Sequence, residues 1–140
     1  MADRTFINTN VIVYSIDSAD PEKQTRARTV LDAGSAKDLV LSTQVLSEFY
    51  VVATRKLGVD RSIGHAMVER LARLPVVVID APMVLGAIAG SQEWGISFWD
   101  ALIIRAAEAS DCARVLSEDF ANGAQYGSVT VENPFVGARR

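Results

Sequence analysis

The stretch that decides the fold is Thr5-Phe-Ile-Asn-Thr-Asn-Val-Ile-Val-Tyr-Ser-Ile16. It starts with the short β-favouring run Thr5 to Ile7, passes through the polar turn Asn8-Thr9-Asn10, and continues with the apolar run Val11 to Ile16. We predict that the apolar run is a short helix capped by Thr9 or Asn10, since both residue types favour helix N-termini. By propensity alone it would also fit a strand. A strand, a polar turn and a helix in this order are typical of the opening of an α/β domain.

Helices and strands alternate along the rest of the chain. Proline, glycine and hydroxyl residues at the boundaries predict helices at about 21–33, 43–57, 61–74, 82–94 and 97–110, and apolar runs predict strands at 39–41, 76–79, 115–116 and 129–131. The run Val76-Val-Val-Ile79 is so uniformly apolar that we expect it to be central in the sheet or nearly so. We expect Trp99 to point inward.

This alternation predicts an α/β fold in three α/β/α layers. A central, mainly parallel sheet would be covered by helices on both faces, with right-handed crossovers. We expect a single domain over residues 1–140, in which 136–140 form a loose tail.

Composition restricts the class of protein. The chain has 140 residues, of which 49% are hydrophobic and 22% charged, as in an ordinary compact domain. No apolar run approaches the roughly 20 residues that span a bilayer, and the start lacks the layout of a signal peptide, so we expect a cytoplasmic protein without membrane contact. The net charge of -3 argues against coating nucleic acid by bulk charge. The lone Cys112 is expected in the core.

Four segments bring a small acid or amide to one edge of the predicted sheet. Asn8 and Asp119 follow predicted strands, whereas Glu48 and Asp100 lie in early turns of helices that begin at the same edge. Ligands of open α/β sheets bind beyond the carboxyl ends of the strands, and clustered oxygen ligands suit a hard divalent cation. Each residue alone also fits an ordinary role, such as turn, cap or solvated helix residue. The combination predicts a metal site.

Four blocks of the chain resemble the motifs of PIN-domain ribonucleases. They run from Phe6 to Tyr14, from Ser42 to Phe49, from Trp99 to Ile103 and from Leu116 to Phe120. More narrowly, the chain is similar to VapC-type toxins of bacterial type II toxin-antitoxin pairs over about Arg4 to Phe135. The family carries an aspartate at its first acidic position, where this chain has Asn8.

The resemblance implies a PIN-like fold and an endoribonuclease that depends on Mg²⁺ or Mn²⁺. The catalytic and metal-binding residues would be Asn8, Glu48, Asp100 and Asp119, supported by Thr9, Asn10, Ser117 and Glu118. Asn8 keeps an oxygen ligand but removes a charge, so we expect this copy to be weakened or inactive. The implied partners are a cognate antitoxin, an RNA substrate and a second copy in a homodimer.

Three basic residues bracket the turn at Gly58: Arg55, Lys56 and Arg61. They fit either a solvated helix face or contacts with the RNA backbone beside the acidic site.

Parts of the sequence also suggest three other classes of protein. Asp80 after the run 76–79 resembles the phospho-acceptor of a receiver domain, but that class needs a late lysine and no lysine follows Lys56. A dinucleotide-binding domain fails for want of a Gly-x-Gly-x-x-Gly loop. The remaining alternative is a non-catalytic PIN-like module that binds RNA or a partner protein. Asn8 favours that alternative, and activity recovered on restoring an acid would separate the two.

Overall fold

The computed structural model describes residues 4–33 and 38–136. Its sheet has the strand order β3-β2-β1-β4-β6-β5. All neighbouring strands are parallel except β5, which is antiparallel to β6. The strands are β1 (Thr5–Ile7), β2 (Leu39–Ser42), β3 (Val76–Val77), β4 (Arg114–Leu116), β5 (Gln125–Tyr126) and β6 (Val129–Glu132).

Helices connect these strands and form the outer layers. They are α1 (Thr9–Ile16), α2 (Pro21–Ala33), α3 (Thr43–Arg55), α4 (Arg61–Leu71), α5 (Ala81–Trp94) and α6 (Phe98–Ala109). The predicted α/β class, with a mainly parallel sheet in a three-layer α/β/α arrangement, is confirmed. No helix within the described ranges is long and apolar enough to cross a membrane.

The core explains why the strands are short and apolar. All three residues of β1 and all four of β2 are buried, and Phe6, Val40 and Val115 have no exposed surface. Each such side chain contributes roughly 1.5–3 kcal/mol by leaving water. Helices α3 and α6 close the core with Phe49 and Ile104. Cys112 is buried in it, as predicted.

Polar caps fix where helices begin at the functional edge. Asn8, and neither Thr9 nor Asn10, caps α1, and its side chain accepts a hydrogen bond from the backbone N–H of Thr9. Ser42 and Ser97 cap α3 and α6. Helix α1 thus begins one or two residues earlier than predicted, so its polar side chains lie directly after the end of β1.

The prediction that 76–79 is a central strand was wrong. Only Val76–Val77 pair, at the edge of the sheet, and Val78 is 69% exposed. The reason lies in β2, which ends at Ser42 because Thr43 begins a helix. Val78 and Ile79 therefore have no strand beside them, although Ile79 N–H donates to Thr43 Oγ1.

Other expectations also need correction. Trp99 was predicted to point inward but is 61% exposed, since it lies on the first turn of α6 next to the cap. Helix α4 ends at Leu71, short of the predicted residue 74, and α3 ends at Arg55, short of 57. The two-residue strand β5 was not predicted. Of the expected tail, 137–140 lie outside the described residues.

Candidate metal centre and groove

The candidate site lies where β1, β2 and β4 end side by side. These strands are parallel neighbours, so their carboxyl ends meet at one edge of the sheet. Asn8 follows β1 and Ser117 follows β4, and the backbone N–H of Asn8 donates to Leu116 O at 3.0 Å. Glu48 comes from α3, which continues β2, and Asp100 comes from the first turn of α6. The structure thus brings all four predicted segments together.

Asn8 is enclosed, and both polar atoms of its side chain are used. Its Oδ1 accepts from Thr9 N at 2.7 Å, and its Nδ2 donates to Ser117 Oγ at 2.9 Å. Only 3% of Asn8 is exposed and Ser117 is fully buried. The residue therefore joins the end of β1 to the end of β4.

Glu48 is held by two polar side chains. Thr9 Oγ1 donates to its Oε1 at 2.7 Å, and Gln44 Nε2 donates to its Oε2 at 3.2 Å. Gln44 also donates to the backbone oxygen of Trp99 at 3.3 Å, which ties α3 to α6. Gln44 was missed from the sequence, although its spacing of four residues from Glu48 places both on one helix face.

Asn10 and Ser117 hold the loop that carries Asp119. Asn10 Nδ2 donates to Ser117 Oγ at 3.2 Å, and Asn10 Oδ1 accepts from Glu118 N at 3.3 Å. Asp119 N donates to Ser117 Oγ at 3.0 Å, and the Asp119 carboxylate accepts from the Asn10 side chain. The predicted supporting residues are therefore in contact with the predicted ligands.

Removal from water and neighbouring acids raise the pKa of Asp100 and of Asp119. Partial removal from water raises the pKa of Asp100, and the charges of Asp119 and Glu48 add to that effect. Removal from water likewise raises the pKa of Asp119, with Glu118 and Glu48 adding repulsion. In the described part of the chain, no Lys or Arg forms an ion pair with Glu48, Asp100 or Asp119. The three acids therefore have no cationic partner among residues 4–33 and 38–136.

Glu118 differs from these acids because it has a cation. Lys23 Nζ lies 2.8 Å from its Oε1, and the hydroxyl of Tyr14 donates to its Oε2 at 2.7 Å. Lys23 also donates to the Tyr14 hydroxyl at 3.2 Å. Both oxygens of the Glu118 carboxylate are therefore bound by side chains of α1 and α2.

An open cavity of about 1120 Å³ is lined by Glu48 and Asp119 together with many apolar side chains. Lys56 also lines it, whereas Asn8 and Asp100 do not. A second cavity of about 590 Å³ shares Ser47 with the first and is lined by Arg61, with Tyr50 and His65. Arg55 is exposed but lines neither cavity. The apolar lining of the first cavity consists of Val13, Val51, Val52, Leu57, Ile79, Val84, Phe98, Trp99 and Leu102.

The oxygen atoms at this site are of the kind that binds a hard cation, but too few of them are grouped together to hold one. Carboxylate, amide and hydroxyl oxygens are what Mg²⁺ and Mn²⁺ bind. Across 4–33 and 38–136, however, no three Asp, Glu, His or Cys side chains form a group that could hold a metal ion. At the strand end where a carboxylate would complete the set, the chain has the neutral Asn8.

An α/β/α domain with carboxylates at the carboxyl edge of a parallel sheet defines the class of this protein. The sequence pattern of the PIN domain family matches residues 5–121. The chain belongs to the PIN domain family.

Solved structures of toxin-antitoxin proteins share this fold. A toxin-antitoxin complex from Klebsiella pneumoniae superimposes with a TM-score of 0.68 at 18% identity, covering 93% of this chain and 97% of the other. VapC20 of Mycobacterium tuberculosis, described as a sarcin-ricin loop cleaving toxin, gives 0.67 at 18% identity, covering 90% and 98%. FitAcB from Neisseria gonorrhoeae gives 0.65 at 21% identity, covering 94% and 98%. No curated protein matches the chain significantly.

Proposed function

We propose that this protein is the toxin of a type II toxin-antitoxin pair and carries a divalent-metal-dependent endoribonuclease site that Asn8 weakens. The observation that carries the proposal is the mutual influence of three acids at the edge of a PIN fold: the charges of Glu48 and Asp119 act on Asp100, the charge of Glu48 acts on Asp119, and among the described residues no Lys or Arg pairs with any of them. Solved structures of the same fold include a toxin-antitoxin complex and a toxin described as cleaving the sarcin-ricin loop.

Glu48, Asp100 and Asp119 would hold Mg²⁺ or Mn²⁺, with Asn8 as a neutral fourth residue. A divalent ion there supplies an activated water and offsets charge on the scissile phosphate. The protein's own contribution is orientation: Thr9 and Gln44 fix both oxygens of Glu48, while Asn10 and Ser117 fix the Asp119 loop. These bonds hold the carboxylates in place although they repel one another.

RNA would approach along the groove from the side of the α3–α4 turn. Lys56 lines the groove itself and Arg61 lines the adjoining cavity, so both can reach phosphates of a strand whose scissile bond lies at the acids. Arg55 is exposed on the last turn of α3 and would contact the backbone farther out.

The proposed partners are a cognate antitoxin and a second copy of the chain. A groove lined by apolar side chains and by the acids Glu48 and Asp119 suits an antitoxin segment with apolar and basic side chains. The described residues include exposed apolar side chains on or beside α3, α5 and α6, which a second copy would cover. RNA and antitoxin would both meet the protein in the cytoplasm.

The experiment that tests the function compares the parent chain with Asn8→Asp. A restored carboxylate adds one unit charge to the metal site, and a charge pair at about 4 Å is worth roughly 4 kcal/mol at an effective dielectric near 20. After solvation offsets most of that energy, we expect Asn8→Asp to raise metal affinity by about ten- to a thousand-fold and to produce Mg²⁺-dependent RNA cleavage. The double variant Asn8→Asp with Glu48→Gln is the matched control and should lose that activity.

The second candidate function is a non-catalytic module that binds RNA or a protein. It is favoured by the full use of both Asn8 polar atoms within the protein and by the lack of a complete ligand group among the described residues. Binding of RNA by the parent, together with no cleavage by Asn8→Asp in Mg²⁺ or Mn²⁺, would establish this candidate instead.

A further inference from the structure

We infer that Ser117 is a positioning residue whose hydroxyl is arranged to donate to a carboxylate at position 8, and that Asn8 deprives it of that acceptor. The inference rests on the proposed function only in that Ser117 would act through the Asp119 loop of the same site.

Three N–H donors converge on Ser117 Oγ. They are Asn8 Nδ2 at 2.9 Å, Asp119 N at 3.0 Å and Asn10 Nδ2 at 3.2 Å. A serine hydroxyl has two acceptor lone pairs and one hydrogen to donate. Asn10 also donates to the Asp119 carboxylate, but Asn8 Nδ2 and Asp119 N by themselves already use both lone pairs. Ser117 is fully buried, so water does not supply an acceptor for its hydrogen. Among the residues that the structure describes, the Ser117 hydroxyl hydrogen finds no acceptor.

Rotating the Asn8 amide does not remove the mismatch. Its Oδ1 accepts from Thr9 N at 2.7 Å, and exchanging the two ends would set an NH₂ group against that backbone N–H. Two donors would then face each other in a site that is almost closed to solvent. In either orientation one neighbour of Asn8 is left without a proper partner.

A carboxylate at position 8 satisfies every group at once. One oxygen accepts from Thr9 N, and the other accepts from the Ser117 hydroxyl. The two lone pairs of Ser117 are then free for Asn10 Nδ2 and Asp119 N, so each donor has its own acceptor. The pocket around position 8 thus fits a side chain that only accepts hydrogen bonds. Through Ser117, the chemistry of residue 8 reaches the loop that presents Asp119.

A double-mutant cycle in metal-free buffer at neutral pH tests this arrangement. The four proteins are the parent, Asn8→Asp, Ser117→Ala and the combined variant, and the measurement is the thermal midpoint of each. Because a hydrogen bond to a charged oxygen is about twice as strong as one between neutral groups, Ser117→Ala should lower the midpoint more when combined with Asn8→Asp than in the parent. Ser117→Thr, which keeps the hydroxyl, should recover most of the difference.

Ser42 provides the matched control. It is also a fully buried serine at the end of a neighbouring strand, and its Oγ accepts from Val45 N at 3.3 Å. The effects of Ser42→Ala and Asn8→Asp should therefore add.

A second measurement does not depend on whether a Ser117 variant folds. In Asn8→Asp, the backbone amide of Asp119 should exchange with solvent more slowly than in the parent, since Ser117 Oγ is relieved of one competing donor. The amide of Val115 within β4 serves as the internal reference.

A Mg²⁺ titration distinguishes a positioning role of Ser117 from a purely structural one. In the Asn8→Asp background, Ser117→Ala should reduce the rise in melting midpoint that Mg²⁺ causes, and Ser117→Thr should restore it.

Equal losses from Ser117→Ala in the two backgrounds, or unchanged Asp119 exchange, would overturn the inference. Its failure is distinguishable from failure of the proposed function, because the cycle uses neither RNA nor metal. Cleavage by Asn8→Asp without coupling to Ser117 refutes only the inference. Coupling without any cleavage refutes only the nuclease.

Discussion

At the residue scale, the identity of residue 8 sets the charge of the site without changing its shape. Asn and Asp are nearly isosteric, so Asn8→Asp should keep the fold while adding a carboxylate beside Glu48 and Asp119. We expect Mg²⁺ to stabilise this variant far more than the parent; at a concentration 100 times the dissociation constant the gain is about 2.7 kcal/mol. Melting curves with Mg²⁺ and with chelator measure it. Asn122→Asp, an exposed change on the turn before β5, is the control.

Equal Mg²⁺-induced shifts in the parent, Asn8→Asp and Asn122→Asp would show that position 8 does not control metal binding.

A second residue-scale prediction follows from the raised pKa values of Asp100 and Asp119. An acid whose pKa is higher in the folded state holds its proton better there. Its contribution to folding stability is therefore greatest below the unfolded pKa of 3.8 and is lost as the pH rises through the folded pKa. Without metal, Asp100→Asn should therefore raise the melting midpoint at pH 7, and the gain should shrink toward pH 3.8. Asp32→Asn, on the exposed end of α2, is the control. A gain that grows as pH falls would contradict the argument.

At the element scale, α2 holds the loop after β4 through Lys23. Lys23 pairs with Glu118 at 2.8 Å, both side chains are about three-quarters buried, and Tyr14 donates to the same carboxylate. Lys23→Met would leave Glu118 without its cation, so we expect a loss of about 1–3 kcal/mol in the free energy of unfolding. Denaturant titration measures this loss. Adding Glu118→Gln should recover part of it, and full additivity of the two changes would rule out the pairing.

The α3–α4 turn should contribute to RNA affinity through Lys56, which lines the groove. Lys56→Ala should weaken binding of a single-stranded RNA and reduce the slope of log affinity against log salt by about 0.7, as expected for one lost phosphate contact. Fluorescence anisotropy on the parent chain gives both values. Arg73→Ala removes an exposed charge that lines neither cavity and should leave the slope unchanged. An unchanged slope for Lys56→Ala would move the RNA path elsewhere.

At the scale of the whole molecule, exposed apolar side chains favour a dimer. Val78, Leu85 and Trp99 are 69%, 67% and 61% exposed, and they lie on or beside the helices that border the groove. If a second copy covers α5, Leu85→Glu places a charge in the interface and should shift the protein to a monomer in light scattering. Ile63→Glu, a 53% exposed position on α4, should not. A parent that is monomeric at high concentration would contradict the proposed homodimer.

The sequence by itself determined the alternation of helices and strands apart from β5, the mainly parallel character of the sheet and the edge at which polar residues collect. These features depend on local patterns: apolar runs, cap residues such as Ser42 and Ser97, and the rule that parallel strands end at one side. Because Asn8, Glu48, Asp100 and Asp119 follow strands or open helices, their meeting was predictable without coordinates. Their roles as ligands remain predictions.

Only the tertiary structure decided which neighbour each side chain meets. Val78 is exposed because β2 ends at Ser42, and a single run of apolar residues carries no information about the length of its partner strand. Gln44 reaches Glu48 and Trp99 only when α3 packs beside α6. Three donors meet Ser117 Oγ because β1 and β4 are adjacent, although residues 8 and 117 are far apart along the chain. Whether every donor has an acceptor depends on such non-local contacts. The sequence therefore showed that Asn8 is unusual, and only the packed structure showed that the Ser117 hydroxyl lacks an acceptor beside it.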